Sequence, residues 1–225
     1  MKVAIIGASG KTGIKLVQQS LERGYQTVTV CRHSSIEKLQ KFTSYDGFTL
    51  MSAPVVSAEE TLTKALDGCE AVLAVLITVG RLKATELVVS LTKATAASGI
   101  KRLVFTAGEV TAAHEEGEAF TLRQRFLKVL GMLISWITPY SMTDMVKASV
   151  LIRQQPGWNW TIVRAPTLRE TPSTGYTFGE ISDVTSAHSL SREDYAACLL
   201  DSLETPKHHR RILTVLPVSQ GCPSG

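Results

Sequence analysis

The sequence predicts an α/β fold, with a doubly wound and mostly parallel sheet that carries helices on both faces. Apolar runs rich in β-branched residues alternate with amphipathic stretches along the whole chain, which is the pattern of repeated strand–helix–strand units. Residues 71–77 are apolar throughout, as expected of a central parallel strand that is buried on both faces. No repeat or linker interrupts this pattern, so residues 1–225 are expected to form one domain.

Strands are expected where short apolar or β-branched runs stand between glycine-containing or polar turns. The segment QTVTVC at 26–31 alternates β-branched and other residues, whereas FTLM at 48–51 is a weaker example. In chain order the expected strands cover 2–6, 26–31, 48–51, 71–77, 103–106, 160–164 and 211–216.

Helices are expected where apolar residues recur every three or four positions between a capping residue and a helix stop. The first helix ends at Gly24 and a later one before Pro156, while Ser191 and Asp194 suit the start of the last helix. In chain order the expected helices cover 11–23, 34–41, 59–66, 83–98, 120–137, 142–154 and 191–203.

Composition and charge exclude several classes of protein. Of 225 residues, 44% are hydrophobic and 20% are charged, which is typical of a globular protein and not of a disordered or collagen-like chain. The net charge is +4, and the basic residues are scattered except at 208–211, so nucleic acid is not expected as a partner. The apolar run 129–137 is about half of the roughly 20 residues that span a bilayer, so we expect a cytoplasmic protein without membrane insertion.

The four cysteines give no sign of a disulfide framework or a zinc site. They are far apart in the sequence, and no CxxC pair is present. We therefore expect buried free thiols at Cys31, Cys69, Cys198 and Cys222.

A glycine-rich turn, GASGKTG, lies between the first expected strand and the first expected helix. Glycines let backbone amides approach a pyrophosphate closely, and the helix N-terminus supplies partial positive charge. The alternative is a tight strand-to-helix turn that binds no ligand. A P-loop is excluded, because no Gly-Lys-Ser/Thr follows four residues after a first glycine. The turn predicts a Rossmann-type dinucleotide site, with cofactor contacts from Gly7, Ser9, Gly10, Lys11, Thr12 and Gly13.

The tip of the second strand favours NADP(H) over NAD(H). An acidic residue there binds the ribose hydroxyls of NAD, whereas a basic residue pairs with the 2′-phosphate of NADP. Here Arg32 and His33 follow the strand, and the first carboxylate is Glu37. Arg32 is therefore the expected phosphate partner, with Lys11 as a second one, and a solvated surface arginine is the alternative.

With these features the sequence resembles the atypical short-chain dehydrogenase/reductase superfamily. It is most similar to the small NAD(P)H-binding, NmrA-like branch, which includes biliverdin-IXβ and flavin reductase-like proteins. The resemblance spans nearly the whole chain and implies a Rossmann-type sheet and dinucleotide binding. The segments that carry it are VAIIGASGKTG, LDGCEAVLAVL, SGIKRLVFTAG, VKASVLIRQQPGWNWTIVRAP and LSREDYAACLLDSLE.

The chain departs from the family's catalytic pattern. Catalytic members place a Ser after the fifth strand and a Tyr four residues before a Lys, the Tyr acting as proton donor. Here the lysine is Lys147, but Thr143 stands at the Tyr position. The Ser position reads Ala107 or Gly108, and the only hydroxyls nearby are those of Thr106 and Thr111. Tyr140 is the nearest phenol, seven residues before the lysine. The expected catalytic residues are Lys147, Thr143, Thr106 and Tyr140, and Thr78, Thr106 and Lys147 are further cofactor contacts.

The remaining candidates concern the substrate pocket and a metal. Segments at about 110–140 and 165–190 are expected to form the pocket, the first because it is an unusually apolar helix and the second because it is a long loop rich in Pro, Gly, Ser and Thr. They contribute Trp136 and His188. His114 lies among glutamates, but no second histidine has ligand spacing, so no metal site is expected.

Three functions are compatible with these residues. The first is an NADPH-dependent oxidoreductase of a small, apolar, conjugated substrate such as a carbonyl, quinone or flavin, in which water protonates the product. The second is an isomerase, cyclase or lyase that has lost redox chemistry, and the third is an NADP(H)-sensing regulatory protein. The sequence leaves the substrate and the oligomeric state open.

Overall fold

The computed structural model describes residues 1–76, 83–109, 120–134, 141–185 and 188–218. Ten strands lie within these ranges. They are β1 (Lys2–Ile6), β2 (Gln26–Arg32), β3 (Phe48–Ala53), β4 (Ala71–Ala74), β5 (Arg102–Gly108), β6 (Asn159–Ala165), β7 (Thr167–Arg169), β8 (Tyr176–Gly179), β9 (Ser189–Ser191) and β10 (Arg211–Pro217).

Eight of the strands form one sheet in the order β3-β2-β1-β4-β5-β6-β10-β8. Neighbours are parallel except at the edge, where β8 runs antiparallel to β10. The strand order reverses between β1 and β4, which is the point where a doubly wound sheet opens a crevice for a ligand. The predicted α/β fold with a Rossmann-type sheet is therefore confirmed.

Helices cover both faces of the sheet. The described α-helices are α1 (Lys11–Glu22), α2 (Glu59–Leu66), α3 (Ala84–Ser98), α4 (Leu122–Ile134), α5 (Met142–Arg153) and α6 (Arg192–Glu204), and His33–Phe42 forms 3-10 turns. Of these helices, none is long and apolar enough to cross a membrane.

The core is divided in two by the sheet, because successive side chains of a strand point to opposite faces. Along β1, Val3 and Ile5 pack with α1, α6 and the 3-10 segment, whereas Ala4 and Ile6 pack with α2, α3 and α5. Cys31, Cys69 and Cys198 are buried free thiols, as predicted, and Cys222 lies outside the described residues.

The segment 165–191, predicted as a loop, contains three short strands. β7 pairs with β9, and β8 adds to the sheet through partners such as Thr214 and Gly179. These pairings join residues that are distant in the sequence, so the strands could not be predicted from local composition. The prediction of an unstructured loop is wrong for these residues.

Asp194 fixes the start of α6 and the preceding loop. Its backbone N–H donates to Ser191 Oγ (2.9 Å), and its buried carboxylate accepts hydrogen bonds from Ser191 Oγ (2.7 Å) and Ser173 Oγ (2.5 Å). The backbone N–H groups of Thr174 (3.0 Å) and Gly175 (3.1 Å) also donate to it. Burial by itself raises the pKa of this carboxyl, but the hydrogen bonds outweigh burial and leave the pKa below its ordinary value.

Asp194→Asn is expected to lower the free energy of unfolding by about 1–3 kcal/mol at neutral pH, because an amide cannot accept the four hydrogen bonds. A carboxyl with a depressed folded pKa stabilises the fold above its unfolded pKa, near 3.8, and loses this contribution as the pH falls through the folded value. Urea unfolding of both proteins should therefore give a difference that shrinks toward acid pH. The exposed Asp46→Asn is the control, and a difference independent of pH would contradict the assignment.

Candidate functional site

The carboxyl ends of β1, β2, β4, β5 and β6 open onto one cavity of about 610 Å³. This volume lies in the range of small-molecule sites, and the position is the one expected from the reversal of strand order. The predicted residues Gly7, Ser9, Gly10, Lys11 and Thr12 line it.

The three glycines of the turn have three different physical roles. Gly7 has φ +81°, a conformation that favours glycine. A Cβ on Gly13 would lie 2.4 Å from the carbonyl oxygen of Gly7, so α1 packs directly against the turn. A Cβ on Gly10 would meet only the Gly7 oxygen, at 3.6 Å, and Gly10 has ordinary extended backbone angles. The fold therefore tolerates a side chain at Gly10, and a glycine there leaves room for a ligand to approach the backbone.

The N-terminus of α1 is suited to an anion. Gly10 caps the helix without a side-chain hydrogen bond, and no acidic residue lies in the first turn. The first N–H groups of a helix have no partner within it and carry partial positive charge. With Lys11 and Thr12 beside them, these groups form a cradle that fits a diphosphate.

Basic and hydroxyl groups surround the tip of β2. Arg32 lines the cavity, as predicted, and Ser35 and Lys38 from the following 3-10 segment line it too. His33 does not line it, and its Nδ1 lies 2.9 Å from Ser52 Oγ. This side of the cavity fits a phosphorylated ribose, and Val55, Val56 and Ser57 after β3 complete its wall.

The opposite side of the cavity is largely apolar. Val75 and Leu76 follow β4, and Ala165, Pro166 and Leu168 come from the end of β6 and from β7. An apolar wall beyond the diphosphate cradle suits the apolar part of a ligand.

Thr106 is the predicted catalytic and cofactor residue that lines this apolar side. Its hydroxyl accepts a hydrogen bond from the Leu76 N–H (2.9 Å), which fixes the oxygen at the cavity wall. A hydroxyl that already accepts one hydrogen bond can still donate its proton, so Thr106 is placed to donate to a bound carbonyl or amide group.

Helix α6 brings two further residues to the cavity, Arg192 and Tyr195. The helix start is held beside α1 by Lys15, whose Nζ lies 2.5 Å from Glu193 Oε1. The Tyr195 phenol is buried, it donates to the Val163 carbonyl oxygen (2.7 Å), and burial raises its pKa further. This phenol is therefore a structural group and is not suited to act as an acid.

Charge in the cavity is predominantly positive. Among the described lining residues, five are basic and one, Glu86, is acidic. Glu86 forms an ion pair with Lys83 (3.3 Å). Arg192 also has an acidic partner, Glu170, at 3.3 Å. The remaining basic lining residues are Lys11, Arg32 and Lys38, and this excess of cations matches a ligand with several phosphate charges.

Several predicted site residues lie away from this lining. Lys147 and Thr143 are exposed on α5 and do not line the cavity, and the half-buried His188 does not line it either. The His188 Nδ1 instead accepts a hydrogen bond from the Thr185 N–H (3.2 Å). Other predicted residues lie outside the described part of the chain, namely Thr78, Trp136, Tyr140 and the group around His114.

Sequence reasoning missed Ser35, Lys38, Lys83 and Arg192. The basic residues at 32 and 38 are six positions apart, and only the tight 3-10 path of His33–Phe42 brings both to the cavity. Arg192 was read only as part of a helix start, and its approach to the glycine turn depends on the packing of α6 against α1.

Known structures with the same fold include two short-chain dehydrogenases/reductases from Veillonella parvula. One is ethylated (TM-score 0.79, 19% identity, covering 97% of this chain and 94% of that chain). The other, a wide-type protein, is in complex with NADP (TM-score 0.77, 18% identity, covering 100% and 99%). The oxidoreductase ylbE from Lactococcus lactis is also similar (TM-score 0.74, 18% identity, covering 96% and 91%).

These similarities confirm the short-chain dehydrogenase-like fold. No protein with a curated description matches the sequence. The model of a family described as NAD(P)H-binding matches residues 7–206, which include the glycine turn, the tip of β2 and the α6 residues of the cavity. The chain therefore belongs to this NAD(P)H-binding family.

Proposed function

We propose that this protein is an NADPH-dependent oxidoreductase that acts on a small, apolar, conjugated substrate of carbonyl, quinone or flavin type. The observation that carries the proposal is a single cavity that joins a cationic glycine-turn side to an apolar side with one fixed hydroxyl, Thr106. The NADP complex of the similar Veillonella parvula protein and the oxidoreductase from Lactococcus lactis support the same class of chemistry.

The residues at the tip of β2 support the choice of NADPH. Arg32, Lys38 and the Ser35 hydroxyl would hold a 2′-phosphate through charge-assisted hydrogen bonds. A carboxylate that would favour the free hydroxyls of NAD is missing among the described lining residues on this side, because Glu86 belongs to α3.

The mechanism needs little from the side chains beyond positioning. When bound, NADPH supplies the hydride. Thr106 would orient the oxygen of the substrate or the cofactor amide, and the wall formed by Leu76, Pro166 and Leu168 would hold the apolar part of the substrate. Because the Tyr195 phenol is committed to the Val163 carbonyl, solvent at the cavity mouth supplies the proton to the product.

Gly10→Leu is expected to abolish NADPH binding while leaving the fold stable, because the side chain enters the space where the diphosphate approaches the backbone. Isothermal calorimetry gives the affinity, and thermal unfolding gives the stability. The matched control is Gly157→Leu, since Gly157 also has open space around its Cβ position and lies outside the cavity lining. Unchanged NADPH affinity in Gly10→Leu would show that the diphosphate does not bind at the glycine turn. If the unmodified chain does not bind NADPH, the cofactor assignment is wrong.

Arg32→Glu is expected to weaken NADPH by about 10- to 150-fold and NADH much less, since a charge-assisted hydrogen bond is worth roughly 1.5–3 kcal/mol. The double change Arg32→Glu with Lys38→Glu should weaken NADPH further, because both cations line the same end of the cavity. The exposed Lys101→Glu is the charge control. Equal loss of NADPH and NADH affinity would show that these residues do not read the 2′-phosphate.

Deuterium transfer distinguishes a reductase from a non-redox enzyme on the same fold. A panel of quinones, flavins and conjugated ketones, followed by NADPH oxidation, identifies a substrate. NADPH deuterated on one face of C4 is then expected to place deuterium in the product. Tyr140→Phe should alter the rate by far less than the roughly 10²–10⁴-fold of a general acid. Conversion without label or net NADPH consumption would replace the proposal with an isomerase, cyclase or lyase.

A further inference from the structure

Helix α4 exposes an unusually apolar face. Leu122, Phe126, Val129 and Leu133 are spaced by four, three and four residues, so they form one row along the helix. Their exposed fractions include 84% for Leu122, 65% for Phe126 and 61% for Leu133. Leu130 and Ile134 lie beside this row and are also exposed. We call this surface, formed by Leu122, Phe126, Val129, Leu130, Leu133 and Ile134, the apolar row.

The opposite side of α4 attaches the helix to the domain. Gln124 is fully buried, and its Nε2 donates to the Ile181 carbonyl oxygen (2.5 Å). Phe120, just before the helix, packs with Ile181, Val184 and Leu216. This attachment fixes which side of α4 faces outward. The helix contributes no described residue to the cavity lining, so the apolar row lies outside that lining as described.

Basic side chains flank the apolar row on both sides. At 3.6 residues per turn, Arg123 and Arg125 project roughly 80° to either side of the row, and Lys128 lies further round the helix. Arg125 is exposed, and Arg123 also pairs with Glu109 (2.7 Å). The sequence contains no acidic residue from 119 to 143. An apolar strip with basic residues beside its first two turns is typical of a helix that lies in a membrane interface, where long basic side chains reach the headgroups.

We propose that α4 docks this protein on an anionic lipid surface, with the apolar row in the acyl boundary and Arg125 among the headgroups. The helix then lies in the plane of the membrane and does not span it. Charge decides between this partner and a second copy of the chain. Two α4 helices packed through their apolar rows would either bring the Arg125 side chains together or leave each beside the apolar end of the other helix, and in neither case would an acidic residue of α4 pair with them. An anionic surface pairs with Arg125 directly, and this docking does not depend on the redox proposal.

Vesicle sedimentation tests the docking with the full chain. Binding is expected to vesicles of phosphatidylcholine with about one-third phosphatidylserine, and much less to phosphatidylcholine alone. The double variant Phe126→Asn with Leu133→Asn should lower partitioning at least about tenfold, because it removes two large groups from the acyl boundary. Its matched control is Val89→Asn, which changes an exposed apolar residue on α3. Circular dichroism and thermal unfolding establish that each variant is folded.

The charge contribution is measured separately. Arg125→Gln should lower partitioning about fivefold, and the exposed Lys101→Gln should leave it unchanged. The proposal is overturned if the unmodified chain ignores anionic vesicles, or if Phe126→Asn with Leu133→Asn binds them as well as the unmodified chain does. A concentration-dependent dimer in analytical ultracentrifugation, lost in the double variant and unaccompanied by vesicle binding, would assign the apolar row to a second copy instead.

Discussion

The contact between α1 and the turn that follows β1 determines the geometry of the site. No space exists for a Cβ at Gly13, because the Gly7 and Ala8 carbonyl oxygens lie 2.4 and 2.6 Å from that position. The helix axis is therefore held against the end of the strand, and its first N–H groups face the crevice between β1 and β4. A larger residue at position 13 would displace the helix and with it the diphosphate cradle.

Helix α6 depends on the same contact, since it packs along α1. Lys15 and Gln19 of α1 both bind Glu193, through a 2.5 Å ion pair and a 3.0 Å hydrogen bond to its carbonyl oxygen. Asp194, the next residue, ties the loop 173–175 to the helix start. The contact between Gly7 and Gly13 therefore also determines, through α1 and α6, the position of Arg192, which lies near the end of the sequence.

The sequence was sufficient to predict the repeating elements and the glycine turn, because these follow from local patterns. The alternation at 26–31 indicated β2, and the apolar spacing with Gly24 indicated α1. The short strand β8 was not predictable, because it forms only by pairing with β10 about 35 residues further along the chain. Lys38 and Arg192 were missed for the same reason, since tertiary packing and the 3-10 path bring them to the cavity.

The family pattern indicates Lys147 as a site residue, but this lysine lies outside the described lining of the cavity, and the packing of α5 gives the physical reason. Asp144, one turn earlier on α5, accepts hydrogen bonds from the Ala84 N–H (2.7 Å) and the Thr85 hydroxyl at the start of α3. This contact joins the first turn of α5 to α3. The buried face of α5 includes Met145, Ala148 and Ile152, and Thr143 and Lys147 lie on the opposite, exposed side of the helix. Thr106 differs because it belongs to β5, whose end forms the cavity wall, and its oxygen is fixed by Leu76. A strand end is a more reproducible platform for a reacting group than the solvent side of a helix, because its position is set by hydrogen bonds to both neighbouring strands. In this chain the sheet therefore holds Thr106 at the cavity wall, whereas the exposed face of α4 lies outside the described lining of the cavity.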